Sequence, residues 1–260
     1  MMTDKVAYFR FYAELNDFLP PEKRQTSFPY AFAGKPAVKD SIEAIGAPHT
    51  EVDLIITNGK AVGFDYHLRD RDRVSVYPVF ERLDITPLLR LREKPLRKTK
   101  FILDVHLGKL ARYLRMLGFD TFYRNDYEDA QIVRISVADR RIILTRDQGL
   151  LKNGAVTHGT WLRSTSPRTQ VREVLQRFDL FAQIKPFARC MVCNGKIERV
   201  DKEAVASRLP AESASYYQVY SRCQACERVY WPGSHVDRMM KFIRELSGER
   251  SNLRDPHLSR

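Results

Sequence analysis

Several common features are scarce in this 260-residue chain, and each scarcity excludes something. There is no run of about eighteen apolar residues, so no membrane-spanning helix is expected. Residues 1–20 lack the pattern of a secretory leader. Asp4, Arg10, Glu14 and Asp17 fall inside an alternating stretch, and a cytoplasmic location is the default expectation. Cysteine is limited to four residues in two CxxC pairs, which favours a metal site over a disulfide framework. Internal repeats and low-complexity segments are also missing, which argues against solenoids and disordered chains. The 43% of hydrophobic residues is ample for one large core or two to three small ones.

What is present is charge, unevenly placed. Residues 1–80 hold 10 Lys and Arg against 11 Asp and Glu; residues 81–260 hold 34 against 21. The net charge of +12 therefore belongs to the centre and the C-terminal part. Phosphate-rich partners are the natural candidates, with a solvated basic surface as the plain alternative.

The four cysteines form two CxxC pairs, Cys190–Cys193 and Cys223–Cys226, with 29 residues between them. Each such turn offers two sulfurs to one ion, so four thiolates around a structural Zn²⁺ are expected. Asn194-Gly195 suits the tight turn of such a knuckle. A redox role for the pairs is the alternative. Arg228, Tyr230 and Trp231 follow the second pair, where rings beside a cation suit stacking on unpaired bases or burial against a neighbouring domain. His235 is weighed as a substitute ligand and set aside.

From Phe101 to Gly149 the pattern is β-α-β-α-β. A strand, Phe101 to Leu103, ends at Asp104. A helix carries Leu107, Leu110, Leu114 and Leu117 on one side, with Lys109, Arg112 and Arg115 on the other, and Gly118 stops it. A strand from Phe119 to Tyr123 leads to Asp126, Glu128 and Asp129. A second helix reaches about Ala138, and Arg141 to Thr145 returns as a strand ending at Arg146-Asp147. Alternation of this kind implies a parallel sheet, whose ligands bind beyond the carboxyl ends of the strands.

Carboxylates there suit Mg²⁺ or Mn²⁺, hard ions that take oxygen ligands and assist phosphodiester cleavage. Asp104 and Asp147 are the first choices as ligands, then Asp129, with Asp126 and Glu128 as reserves or helix caps. Lys109, Arg112, Arg115 and Arg146 are candidate phosphate contacts. His106 is weighed as a proton carrier and not chosen. Beyond Asp147, Leu150-Leu151 should pack, and residues 155–162 form a strand or loop. Ser166-Pro167 opens a helix with Val171, Val174, Leu175 and Phe178 buried.

The first eighty residues read as a small α+β unit. Strands are expected over Val6–Phe11, Ser27–Phe32, Leu54–Thr57, Lys60–Phe64 and Val74–Phe80, with a helix over Val38–Ile45 closed by Gly46. Asn58-Gly59 marks a two-residue hairpin. Residues 81–100 carry seven basic and three acidic side chains with Pro87 and Pro95, and read as a linker, part of it helical over Thr86–Arg92.

Two resemblances add to this. The stretch "VDLIITNGKAVGFDYHLRDRDRVSVYPVF", in its strand order, resembles the ubiquitin-like β-grasp domains, sulfur carriers among them. Those carriers end in an exposed Gly-Gly, whereas Phe80 here is followed by Glu81-Arg82-Leu83. The segments "FILDVHLGKLARYLRMLGFDT", "EDAQIV", "RRIILTRDQGLL", "RCMVCN" and "RVYWPGSH" together resemble the Mut-seven C-terminal RNase family of PIN-like nucleases with a zinc ribbon. That resemblance, over about residues 101–240, implies metal-dependent RNA hydrolysis with Asp104, Asp129 and Asp147 as the acids. A fourth acid would be Asp126 or Asp139. The expected architecture is α/β, with a β-grasp domain over 1–80, a basic linker over 81–100 and a PIN-like parallel-sheet domain over 101–185. A zinc ribbon over 186–247 and a frayed tail over 248–260 complete it. The rival readings are a non-catalytic RNA-binding or ribosome-associated adaptor, and a sulfur-carrier-like protein. RNA, single-stranded or structured, is the expected partner, with a protein partner possible through the β-grasp domain and no membrane.

Overall fold

A computed structural model describes residues 5–78, 99–210 and 215–247. The expected helix over residues 86–92 and the tail from residue 248 lie outside the described residues, as does nearly all of the linker.

The N-terminal sheet is built by alternation. Strand β1 (Lys5–Phe11) turns Ala7, Phe9 and Phe11 inward and leaves Tyr8 exposed. It pairs antiparallel with β2 (Phe28–Phe32) and parallel with β5 (Arg73–Pro78). Strands β3 (Val52–Thr57) and β4 (Lys60–Val62) complete the order β2-β1-β5-β3-β4. The β3–β4 turn is the expected one: Asn58 at φ 51° and Gly59 at φ 80° are both left-handed, as a two-residue hairpin with native twist requires. Helix α1 (Val38–Ile45) spans the expected residues and buries Val38 and Ile42, one turn apart, against the sheet.

Strand β4 stops at Val62, two residues before the expected Phe64. The chain turns there to serve α1, whose first N–H groups have no side-chain cap. Val38 N–H donates to the Tyr66 carbonyl (2.7 Å) and Lys39 N–H to that of Phe64 (3.3 Å).

In the α/β part, β6 (Lys100–Leu103) and β8 (Ile142–Thr145) are almost wholly buried, as strands covered on both faces must be. Strand β6 pairs parallel with β7 (Asp120–Phe122), and β8 with β9 (Gly159–Trp161). The sheet order is β7-β6-β8-β9. Helix α2 (Gly108–Met116) begins one residue later than its apolar spacing suggests, after a 3₁₀ turn over Val105–Leu107. Helix α3 (Asp129–Asp139) follows as expected; Leu150 and Leu151 are buried as expected, on a short helix α4 (Gln148–Leu151) that the sequence reading does not include. Helix α5 (Pro167–Arg177) starts at Ser166-Pro167 and buries Val171, Val174 and Leu175. Phe178 is only half-buried, and Gln170 takes the fourth buried place, donating from Nε2 to the Ser164 carbonyl at 2.8 Å. Strands β10 (Ile197–Val200), β11 (Tyr220–Cys223) and β12 (Val229–Tyr230) form an antiparallel ribbon, followed by α6 (Ser234–Ser247).

By packing density the chain falls into two compact units. One holds residues 1–98 with 133–161, the other 99–132 with 162–260. The β-grasp sheet therefore shares its unit with the segment that carries β8, α4 and β9.

Candidate functional site

Two knuckles bring the four cysteines together. Asn194 N–H donates to the Cys190 carbonyl, Cys190 N–H to that of Gly195, and Glu227 N–H to that of Cys223. The strand register sets Ile197 opposite Cys223, which carries the second CxxC to the first. Gly195 sits where a Cβ would lie 2.7 Å from the Cys223 sulfur, so no other residue fits without moving a ligand. The four sulfurs all lie within 4.8 Å of one another. Cys190 and Cys226 approach to 3.6 Å, Cys193 and Cys223 to 3.4 Å. A disulfide would be about 2.0 Å, whereas sulfurs around a tetrahedral metal with bonds of about 2.3 Å stand roughly 3.8 Å apart. The spacing fits a metal.

The electrostatics fit as well. Burial pushes the Cys190 thiol up. The Tyr230 hydroxyl at 3.0 Å and the N–H groups of Cys193 and Val192 more than offset this, bringing it down to about 6. Burial and the neighbouring sulfurs push Cys193 up to about 12, and Cys226 is raised likewise. Four thiolates at this distance need a cation between them. The cluster can hold a metal such as zinc.

The first knuckle is fastened to the α/β layer by residues whose role the sequence does not announce. Arg115 is only 4% exposed. Its guanidinium donates to the carbonyls of Thr121 (2.9 Å), Val192 (2.8 Å), Met191 (3.4 Å) and Tyr123 (3.4 Å). Burial lowers its pKa, partly balanced by Cys190, Cys193 and Asp120. The expectation that Arg115 contacts phosphate on a solvated helix face is therefore corrected: it ties α2 to the knuckle. Asn194 Oδ1 accepts the Thr121 N–H at 2.9 Å, and its Nδ2 donates to Asp120 Oδ1 at the same distance. Arg189 closes the network on Asp120 Oδ2 (3.1 Å) and the Asn194 carbonyl (3.0 Å). One signal for Arg115 was present: Ala111, one turn earlier, is wholly buried and extends the apolar stripe to that side.

Each expected acid has a defined local setting. Asp104 follows β6, is 7% exposed, and its carbonyl accepts the Leu107 N–H that closes the 3₁₀ turn. Asp129 is the first residue of α3 and is exposed. Asp147 follows β8 and caps α4, its Oδ1 accepting the Gly149 N–H at 2.7 Å; its own N–H donates to Thr145 Oγ1 at 2.8 Å. Among the reserves, Asp126 is drawn into a two-pronged pair with Arg124, at 2.9 and 2.7 Å, that holds its carboxyl below the usual range. Asp139 pairs with Arg141 at 3.1 Å.

Lys109, Arg112, Arg146 and Arg228 are exposed. Tyr230 is half-buried with its hydroxyl on Cys190, and Trp231 is half-buried in the wall of an apolar groove of about 50 Å³ with Met191, Ile197 and Met239.

Comparison with protein families decides what this arrangement belongs to. The model described as the Mut7-C RNAse domain matches residues 99–243, and that described as Mut7-C ubiquitin matches residues 4–84. The chain belongs to the Mut7-C RNAse family. No curated protein and no solved structure matches it. The Mut7-C match takes in Asp104, Asp129, Asp147 and all four cysteines, and the ubiquitin match takes in the whole five-stranded sheet. No helix among the described residues is long and apolar enough to cross a membrane.

Proposed function

We propose that this Mut7-C protein is a ribonuclease that hydrolyses RNA phosphodiester bonds with Mg²⁺ or Mn²⁺ held by Asp104, Asp129 and Asp147. The observation that carries the reading is the family match over residues 99–243, within which Asp104 and Asp147 each follow a buried parallel strand at its carboxyl end. The donor set fits the ions: carboxylate oxygens at strand ends and a helix start are ligands for hard cations. When bound, such an ion neutralises charge on the scissile phosphate and makes water a better nucleophile.

The chain's own residues supply the rest. Asp147 keeps Oδ1 on the Gly149 N–H, which fixes the carboxylate beyond the end of β8. Arg146, Lys109, Arg112 and Arg228 hold the sugar-phosphate backbone, as exposed cations outside the knuckle network. The cysteine cluster holds Zn²⁺ in a closed sphere of four thiolates and does no chemistry on RNA. Trp231 and Tyr230 line a groove beside it where an unpaired base can stack. Four reduced cysteines suit a reducing compartment such as the cytoplasm.

The test is cleavage of end-labelled single-stranded and structured RNA by the full chain, in Mn²⁺, Mg²⁺ and EDTA, beside Asp104→Asn and Asp147→Asn. Metal-dependent cutting abolished by both substitutions supports the reading. Binding without cutting, indifferent to both, replaces it with an RNA-binding adaptor.

A further inference from the structure

Helix α1 and the stretch that joins it to β3 in the β-grasp domain grip residues 152–161 at three points. Lys152 Nζ donates to the Glu43 carbonyl at 3.2 Å. His49 Nε2 meets the Val156 carbonyl at 2.7 Å, while its Nδ1 faces Glu43 Oε1. Glu51, wholly buried, accepts the Trp161 backbone N–H at 2.6 Å. The Trp161 ring packs against the β-grasp core, with its centroid 5.2 Å from that of Phe18.

The last contact reaches further. The Trp161 indole N–H donates to the Arg146 carbonyl at 3.1 Å. That carbonyl belongs to the peptide group joining Arg146 to Asp147, whose N–H donates to Thr145 Oγ1 at 2.8 Å. Thr145 and Trp161 are register partners in β8 and β9, so one rung of the sheet supplies both clamps. The peptide plane that sets the direction of Asp147 is thus held at both poles. One of those holds is itself fixed by a carboxylate and a ring from the β-grasp domain.

We infer that Glu51 and Trp161 are positioning residues for Asp147, and that the β-grasp domain is thereby part of the nuclease's working apparatus. The inference rests on Asp147 being a cation ligand, as proposed above. A contact that served stability alone would need only buried area. Here a fully buried acceptor orients the residue whose indole N–H orients the peptide at Asp147, and a peptide free to tilt lets the carboxylate miss its ion.

Trp161→Phe keeps an aromatic ring beside Phe18 while removing the indole donor. Glu51→Gln keeps an acceptor oxygen, and Glu51→Ala does not. In the full chain, Mn²⁺ binding is read by the loss of the free-ion paramagnetic resonance signal, beside kcat and KM for RNA and the melting temperature. Trp161→Phe and Glu51→Ala are expected to weaken Mn²⁺ binding and lower kcat about five- to tenfold, the worth of one hydrogen bond, with KM for RNA little changed. Glu51→Gln should stay near wild type. Wild-type Mn²⁺ affinity and kcat in Trp161→Phe overturn the inference, whatever the melting temperature does, and this conservative variant decides if Glu51→Ala fails to fold. Asp147→Asn that binds Mn²⁺ and cuts like wild type would instead remove the functional reading beneath it.

Discussion

The cysteine cluster and the proposed aspartate site are two kinds of site in one chain. The cysteines lie in pairs three residues apart, each pair shaped by its own turn, and a single strand register joins the pairs. Their ligand atoms form a compact group. The aspartates are dispersed over the sequence, and each is fixed by its own element: the end of β6, the start of α3 and the end of β8. A metal site assembled from local turns carries its geometry in the motif. One assembled from strand ends borrows its geometry from the fold, and disturbances far away should reach it.

The largest effect should follow from breaking the local site. Cys223→Ser, or treatment with a strong chelator, removes a metal whose binding free energy in comparable small domains is about 10 kcal/mol or more. Metal content by mass spectrometry and the thermal melt should fall together, with residues 186–247 losing protection in hydrogen exchange first. Retained metal in Cys223→Ser would contradict the four-thiolate assignment.

Next comes the dispersed site. Asp104→Asn and Asp147→Asn should each slow cleavage about a hundredfold or more, since a cation contributes several kcal/mol to the transition state. Their melts should stay close to wild type, unlike that of the cysteine variant.

The contact between knuckle and α/β layer sharpens the comparison. Arg115→Met leaves the buried carbonyl of Thr121 without a donor, cuts the tie to Val192, and should cost about 3 kcal/mol of stability in denaturant melts. Arg112→Met, three residues earlier and exposed, should leave the melt unchanged and weaken RNA binding at low salt. Equal melts for the two would refute the tie.

The smallest effect concerns pH. The Cys190 thiol, held down to about 6, favours the folded cluster fully above its ordinary range near 9, and that advantage is lost as pH falls through about 6. Tyr230→Phe removes the hydroxyl that helps hold it down, so acid-induced metal release should begin at a higher pH, by less than about one unit. An unshifted release curve would assign the effect to the backbone N–H groups instead.

Much of this was legible in the sequence. Ala7, Phe9 and Phe11 alternate because one face of β1 is core, and Asn58-Gly59 admits little but a tight hairpin. The CxxC pairs state their chemistry outright. Helical periodicity sorts side chains by polarity and so places Arg115 with the solvated face. It cannot show that carbonyls 76 and 77 residues later will satisfy a buried guanidinium. Glu51 and Trp161 escaped notice for the same reason, being 110 residues apart and joined only by the fold. Asn194 declares itself in the sequence as a turn residue, and nothing there marks where its side-chain amide bonds.

That amide has a further consequence. Strand β7 is the outermost strand of its sheet, and the Thr121 N–H that would face a neighbouring strand is taken by Asn194. The knuckle therefore works as a stopper on an open sheet edge, the place where copies of a chain begin to stack into aggregates. Stripping the metal from the cluster should loosen that stopper, and light scattering after chelation is expected to rise.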